Sequence, residues 1–257
     1  MIVKLRGNEL LPDLDFGIFS SGKRYNLPEN ENVVLPESRG IKKIGMQTFI
    51  NCDFMRSLKL PEGVTHISKA AFHNCYNLEY IYLPSTLKVI EIGAFVGCSS
   101  LSRIELPDGI EKIGKEAFPE ETEVIYKGIN LSRCLEGYPD KRVSHLEKLI
   151  RFVKDVDFSI NLETKVKYRC LWSMYFNRGE DETLLDKIKD RLTPMLIQAV
   201  EDEEREIVEW ALGNEGLITS KNIDKLLSSA NKQSEIFVLL LNYKYEKIGF
   251  KKRNWFL

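Results

Sequence analysis

Residues Leu83–Glu105 read LPSTLKVIEIGAFVGCSSLSRIE, and the phrase they spell, L-P-x-x-φ-x-x-I-x-x-x-x-F-x-x-C-x-x-L-x-x-I-x with φ an apolar residue, recurs about four times between Leu35 and Lys127. Phe49, Phe72, Phe95 and Phe118 stand 23 residues apart, as do Ile44, Ile67, Ile90 and Ile113, and Ile41, Val64, Leu87 and Ile110. The same spacing relates Cys52, Cys75 and Cys98, then Met55, Leu78 and Leu101, then Leu58, Ile81 and Ile104, and the dipeptides Leu60-Pro61, Leu83-Pro84 and Leu106-Pro107. So short a unit cannot bury its own apolar side. Copies must stack, each covering the next, into a solenoid with one continuous core.

Spacing within the unit also predicts direction. In Leu78-Glu79-Tyr80-Ile81-Tyr82-Leu83, strand alternation turns Ile81 and Leu83 inward and Tyr80 and Tyr82 outward. With Leu58, Ile81, Ile104 and Ile125 inward, the two outward columns read Ser57, Tyr80, Arg103, Val124 and Lys59, Tyr82, Glu105, Tyr126. Stacked strands, about 4.8 Å apart, bring these side chains into one patch. Tyrosine and arginine are residues that interfaces favour, so Ser57, Lys59, Tyr80, Tyr82, Arg103, Glu105 and Tyr126 are the candidate partner-binding residues. The competing reading is a solvated sheet whose side chains pair only with one another.

The L-P, I-G, A-F and C-x-x-L elements, present as Leu83-Pro84, Ile113-Gly114, Ala94-Phe95 and Cys98-x-x-Leu101, resemble the BspA-like leucine-rich repeat family of bacteria. The resemblance covers residues 35–128. It implies a leucine-rich-repeat solenoid that binds other macromolecules and catalyses nothing, in a family whose members are often exported or surface-bound.

The array needs ends. Residues 1–34 hold no clean repeat, although Val33-Val34-Leu35-Pro36 looks like the strand of an incomplete one, and we read them as an N-terminal cap. Ser38-Arg39-Gly40 lengthens the first repeat's turn. The fourth unit replaces cysteine by Glu121 and shortens to Val124-Ile125-Tyr126-Lys127-Gly128, as a final unit should.

Beyond residue 128 the Leu-Pro punctuation stops and apolar residues recur at helical spacing, as in Leu146, Leu149, Ile150 and Val153, or Tyr168, Leu171, Trp172 and Tyr175. The fold class expected is therefore α+β in two domains. A solenoid of short parallel strands with a 23-residue period occupies 35–128, and an all-α helical-hairpin domain occupies 129–257. Ser144-His145-Leu146-Glu147 has the form of a capping box, and Thr193-Pro194 that of a cap followed by a first-turn proline. Residues 193–243 weakly resemble two ankyrin helix pairs, with Ala199 and Ala230 in matching places. Leu196 stands where the family has histidine, Asp202-Glu203-Glu204 where it has a glycine turn, and the second pair lacks Thr-Pro.

Charge excludes little but directs the reading. Residues 1–128 hold 15 basic and 17 acidic side chains and residues 129–257 hold 22 and 21, so neither half is a polyanion binder by bulk charge. The opening Met1-Ile2-Val3-Lys4-Leu5-Arg6 lacks a signal-peptide apolar run and no segment has membrane-span character, which reads as cytoplasmic. The cysteine ladder lies between apolar columns and no C-x-x-C pair accompanies it, so Cys52, Cys75 and Cys98 are expected as buried free thiols without metal. The odd total of five cysteines agrees with a reducing compartment.

No catalytic or cofactor motif stands out. Asp155-x-Asp157-x-Ser159-x-Asn161 imitates the start of a calcium loop, but Ile160 and Val166 occupy the glycine and glutamate places. His66, His73 and His145 have no triad spacing, and neither glycine-rich phosphate loop is present. The C-terminal stretch from Tyr243-Lys244-Tyr245-Glu246-Lys247 through Lys251-Lys252-Arg253-Asn254-Trp255-Phe256 mixes cations with aromatics, which suits stacked bases or a membrane surface. The sequence thus points to a non-enzymatic protein-binding module acting through the strand face without a cofactor. A nucleic-acid or membrane-surface binder acting through the tail is the alternative, and an enzyme with an interdomain site the third reading.

Overall fold

The computed structural model describes residues 2–6, 9–12, 23–26, 32–35, 40–137, 139–177, 179 and 181–249. Two compact units divide between Leu162 and Glu163. The change in chain character at residue 129 is a different boundary, because the first helices after the repeats belong to the repeat unit.

In the first unit β1 (Ile2–Arg6), β2 (Glu9–Pro12) and β3 (Lys23–Asn26) pair antiparallel around β1. They are followed by β4 (Asn32–Val34), β5 (Lys43–Ile44), β6 (Ser57–Lys59), β7 (His66–Ile67), β8 (Tyr80–Tyr82), β9 (Val89–Ile90), β10 (Arg103–Leu106), β11 (Lys112–Ile113) and β12 (Glu123–Tyr126). Each repeat thus contributes two strands. One parallel ladder, β5-β7-β9-β11, runs through the Ile44 column and continues through β2 into the N-terminal trio. The other set carries the outward columns, and β4 joins it with Val33 in register with Leu58. The proposed incomplete repeat therefore supplies a strand to the array. Pro36, Ser38 and Arg39 lie outside the described residues.

The core between the ladders is the periodic sequence made solid. Phe49, Phe72, Phe95 and Phe118 stack with ring centroids 5.1, 4.9 and 5.6 Å apart, and the Ile44, Val64, Cys52 and Met55 columns are buried with them. Each ring's residue also ties its neighbours by backbone: Phe49, Phe72 and Phe95 N–H donate to the carbonyls of Ala71, Ala94 and Ala117, all at 2.8 Å. Cys52, Cys75 and Cys98 are free and buried, as expected of the ladder, and so are Cys134 and Cys170 in the helices. Cys75 and Cys98 do more than fill space, because their Sγ atoms donate to the carbonyls of Phe49 and Phe72 at 2.9 and 3.1 Å.

Two further columns are conformational. Gln47, Ala70, Gly93 and Glu116 have φ of 56, 53, 61 and 52°, and Asn51, Asn74 and Gly97 have 56, 59 and 81°. The first three turns therefore pass twice through the left-handed region and the fourth once, at Glu116, a region which asparagine and glycine tolerate better than glutamine, alanine or glutamate do. Gly97 is needed for space as well, since a Cβ there would stand 2.3 Å from Asn74 Oδ1. At Gly114 the need is purely steric: a Cβ would meet Ile92 N at 2.2 Å.

The array ends in a turn and a helical cover. Lys127 and Gly128, both at positive φ (50 and 76°), form the two-residue hairpin that joins β12 to β13 (Ile129–Asn130). Asn130 then caps α1 (Leu131–Cys134) by accepting from Arg133 N at 3.0 Å. Helix α2 (Pro139–Asp155) begins at a first-turn proline, so Ser144 lies inside it and is not the cap that its spacing to Glu147 suggested. Near its far end Lys154 Nζ donates to Ile110 O at 2.7 Å, satisfying a carbonyl of the last repeat. Ile160 and Val166, which replace the calcium-loop residues, are both buried.

The second unit is helical: α3 (Thr164–Asn177), α4 (Glu182–Ile188), α5 (Leu192–Glu201), α6 (Arg205–Gly213), α7 (Ile223–Ser229) and α8 (Glu235–Tyr243). Helices α5/α6 and α7/α8 form two hairpins, with α7 on α5 and α8 on α6. Helix α5 starts at Leu192 after a 3-10 turn, so Thr193 is in its first turn; its hydroxyl accepts from Asn222 Nδ2 at 3.5 Å instead of capping. Pro194 still loses no helical bond there, since the first four N–H groups have no partner within the helix. Glu203, in the place of the expected turn glycine, adopts φ 55°. The adjoining Asp202 is buried and receives Arg169 Nε at 3.0 Å and Lys165 Nζ. Trp172, Tyr175, Phe176 and Trp210 form an edge-to-face cluster between α3 and α6.

Candidate partner-binding face

The outward side chains fall into two rows set by strand register. Asn32, Ser57 and Tyr80 align in one row, and Val34, Lys59 and Tyr82 in the other. Tyr80 and Tyr82 are 57% and 62% exposed on either side of the buried Ile81, and Val34 extends the second row at 66%. Arg103 and Glu105 continue the columns on β10, again exposed on either side of a buried Ile104.

The ladder breaks before reaching them. Strands β4-β6-β8 form one sheet, and β10-β12-β13 form another. The break can be followed in one N–H group. Glu79 N donates to Arg56 O at 2.8 Å in the repeat before, whereas Ser102, its counterpart 23 residues on, turns back to Ser100 O at 2.9 Å. Leu83 is left half-buried where Leu60 and Leu106 are buried, and an open groove of about 790 Å³ runs between β8 and β10. Tyr80, Tyr82, Arg103 and Glu105 line it, over Ile81, Leu83, Leu106 and Pro107.

What these side chains lack is as telling as where they stand. On other surfaces of the array, neighbouring repeats do engage: Lys88–Glu111 at 2.9 Å, His66–Glu91 at 2.8 Å, and Ser85 with Glu62 at 3.0 Å. Among the described residues, the side chains of Lys59, Tyr80, Tyr82, Arg103 and Glu105 make no hydrogen bond or ion pair. Ser57 is the exception within the patch, donating to Asn32 Oδ1 at 2.6 Å.

Tyr126 requires a correction. It was expected outward beside Glu105, with Val124 beside Arg103, but the register of the final strand is shifted by one. Arg103 pairs with Glu123, Ile104 with Val124 and Leu106 with Tyr126. Val124, Ile125 and Tyr126 are all buried. The cause is the closing structure: β13 pairs along β12, α1 packs against it, and Val124 N donates to Ser132 Oγ at 3.0 Å. Tyr126 Oη donates to Asp108 O at 3.2 Å, and burial, then the charges of Asp108 and Asp155, push its phenol up to about 12. Tyr126 is structural.

Val34, Glu62, Asp108 and Lys127, which belong to this face or its groove, were missed. Glu62 and Asp108 share the column after the Leu-Pro dipeptide, a periodic signal that could have placed them. The basic tail at Lys251–Phe256 lies outside the described residues. Among those residues no group of three His, Cys, Asp or Glu side chains is placed to hold a metal, and no helix is long and apolar enough to cross a membrane.

Comparison with known proteins agrees with the reading of a repeat array. A model of the BspA-type leucine-rich repeat region matches residues 22–132 in six copies. No curated protein matches the chain. Among solved structures, a leucine-rich repeat protein of T. pallidum is 23% identical over 49% of this chain, with a TM-score of 0.37. The pneumococcal vaccine antigen PcpA is 29% identical over 41% (TM-score 0.37), and a leucine-rich cell surface protein of Faecalibacterium prausnitzii is 30% identical over 42% (TM-score 0.35). This chain spans 61%, 26% and 30% of those three chains. With its 23-residue period, stacked parallel strands and matched copies, the segment from residue 22 to residue 132 is a BspA-type leucine-rich repeat region.

Proposed function

We propose that the chain is a non-catalytic interaction protein that binds a protein partner through the exposed strand face of its repeats. Solenoids of this kind commonly serve as extended binding surfaces. The observation that carries the reading is the group Lys59, Tyr80, Tyr82, Arg103 and Glu105, displayed together with no partner among the described residues. If the face were only a solvated sheet, pairing between neighbouring columns would be its expected use. Tyrosine and arginine combine large area with a polar tip, the composition of binding hot spots. Five buried free thiols support a reducing compartment as the place of action.

Affinity capture with the full chain tests this. Tyr80→Ala combined with Tyr82→Ala should keep the fold, since both side chains are exposed, and weaken capture by more than about 2 kcal/mol, enough to lose a micromolar complex. Lys251, Lys252 and Arg253 changed together to Ala should leave capture intact. Were the tail variant to abolish capture and the tyrosine pair to spare it, the strand face would not be the site.

A further inference from the structure

The groove between β8 and β10 has a chemical character of its own. An inserted strand would need the flanking strands about 9.6 Å apart, twice the usual spacing, but Cα atoms of β8 and β10 approach within 8 Å. The groove therefore has room for a side chain rather than for a backbone. One wall is the pair of exposed tyrosine rings, and the carboxylates of Glu62, Glu105 and Asp108 stand around the opening. Ser85 donates to Glu62 from its backbone N–H at 3.1 Å and its hydroxyl at 3.0 Å, which favours the ionised carboxylate. Among the described residues, the Glu105 and Asp108 side chains have no partner.

The opposing cations are fewer. Arg103 lies in register opposite Glu123, and Lys127 Nζ sits 5.8 Å from the centroid of the Tyr126 ring. Three carboxylates against two cations leave the groove negative by one charge. An anionic occupant would face Glu62, Glu105 and Asp108 with Arg103 and Lys127 in its favour. A cation gains from the π faces of the tyrosines and from charge-assisted hydrogen bonds to the carboxylates.

On the strength of the strand-face reading above, we infer that the groove receives an arginine side chain from an extended basic segment of the partner protein, laid over Tyr80 and Tyr82 and hydrogen-bonded to Glu105 and Asp108. The segment runs across the strands, and the apolar floor at Leu83 and Pro107 takes the aliphatic stem.

The test uses the full chain, labelled with 15N, and three capped peptides: acetyl-Gly-Gly-Arg-Gly-Gly-amide and its counterparts with Glu or Leu at the centre. The arginine peptide at millimolar concentration should shift the amide signals of residues 80–83, 103–106 and 108, and the other two should not. Glu105→Gln with Asp108→Asn, whose spectrum also reports folding, should weaken those shifts at least fivefold, as should raising salt to about 0.5 M. Equal shifts from the glutamate or leucine peptide would overturn the charge assignment while leaving the strand-face reading standing. Shifts absent from the groove would remove the groove as an arginine site. Capture that survives loss of Tyr80 and Tyr82 would instead bring down the strand-face reading itself, so the two failures are distinct.

Discussion

Phe72 lies flat on Phe95, with centroids 4.9 Å apart and ring planes within 4°, and each ring is in turn covered by the next member of its column. In a solenoid, stability passes between neighbouring layers, so removing one interior ring opens a cavity that two layers share. Phe95→Ala should cost about 3–5 kcal/mol in urea unfolding. A value within about 1 kcal/mol of wild type would contradict the stacked column.

The thiols make a second, smaller prediction. The sequence suggested that Cys98 merely fills space. In the fold its Sγ donates to the buried Phe72 carbonyl, which also accepts from Cys75 N–H at 3.3 Å, so Cys98→Ala removes one weak hydrogen bond and should cost about 1 kcal/mol, well below Phe95→Ala. Cys75 is pushed up to about 12: its hydrogen bond with Cys52 pulls it down, while that with Cys98, and then burial, raise it further. Cys52 is also pushed up, first by its hydrogen bond with Cys75 and then by burial. Thiol reagent at pH 8 should therefore label these residues only after denaturation; labelling of the folded chain would show the column to be open.

Backbone strain offers a gain rather than a loss. Ala70 holds φ 53° in a column where the next repeat has Gly93 at 61°. Ala70→Gly should stabilise the chain by roughly 0.5–1 kcal/mol, the cost of a left-handed alanine less the extra freedom of glycine when unfolded. A lower melting temperature in the variant would count against the left-handed conformation at this turn.

Glu91 supplies a prediction about acid. Burial pushes the Glu91 carboxyl up, but the hydrogen bond with His66 and that from Lys69 N–H, both at 2.8 Å, hold it below its ordinary 4.5. A carboxyl depressed on folding contributes stability that is complete above its unfolded value and is lost as pH falls through its folded one. Glu91→Gln should thus be less stable than wild type at neutral pH, and the two stability curves should converge below about pH 4.5. Curves that stay parallel down to about pH 3 would rule this linkage out.

The sequence by itself determined the solenoid, its period and its inward columns. Phe49, Phe72, Phe95 and Phe118 each meet the same position in the next unit, and such nearest-neighbour contacts are written directly into a one-dimensional repeat. The outward placement of Tyr80, Tyr82, Arg103 and Glu105 was legible for a similar reason, since strand alternation depends only on local geometry. Only the tertiary structure decided the rest. The burial of Tyr126 depends on what closes the array, which no period encodes. The second strand of each repeat and the left-handed turns arise from backbone hydrogen bonds between layers, to which side-chain spacing is nearly blind. The groove lies where the parallel pairing of β6 with β8 is not repeated between β8 and β10 and where Ser102 N–H bonds within its own turn instead of to the neighbouring repeat, a change of backbone partner that leaves no mark in the pattern of residues.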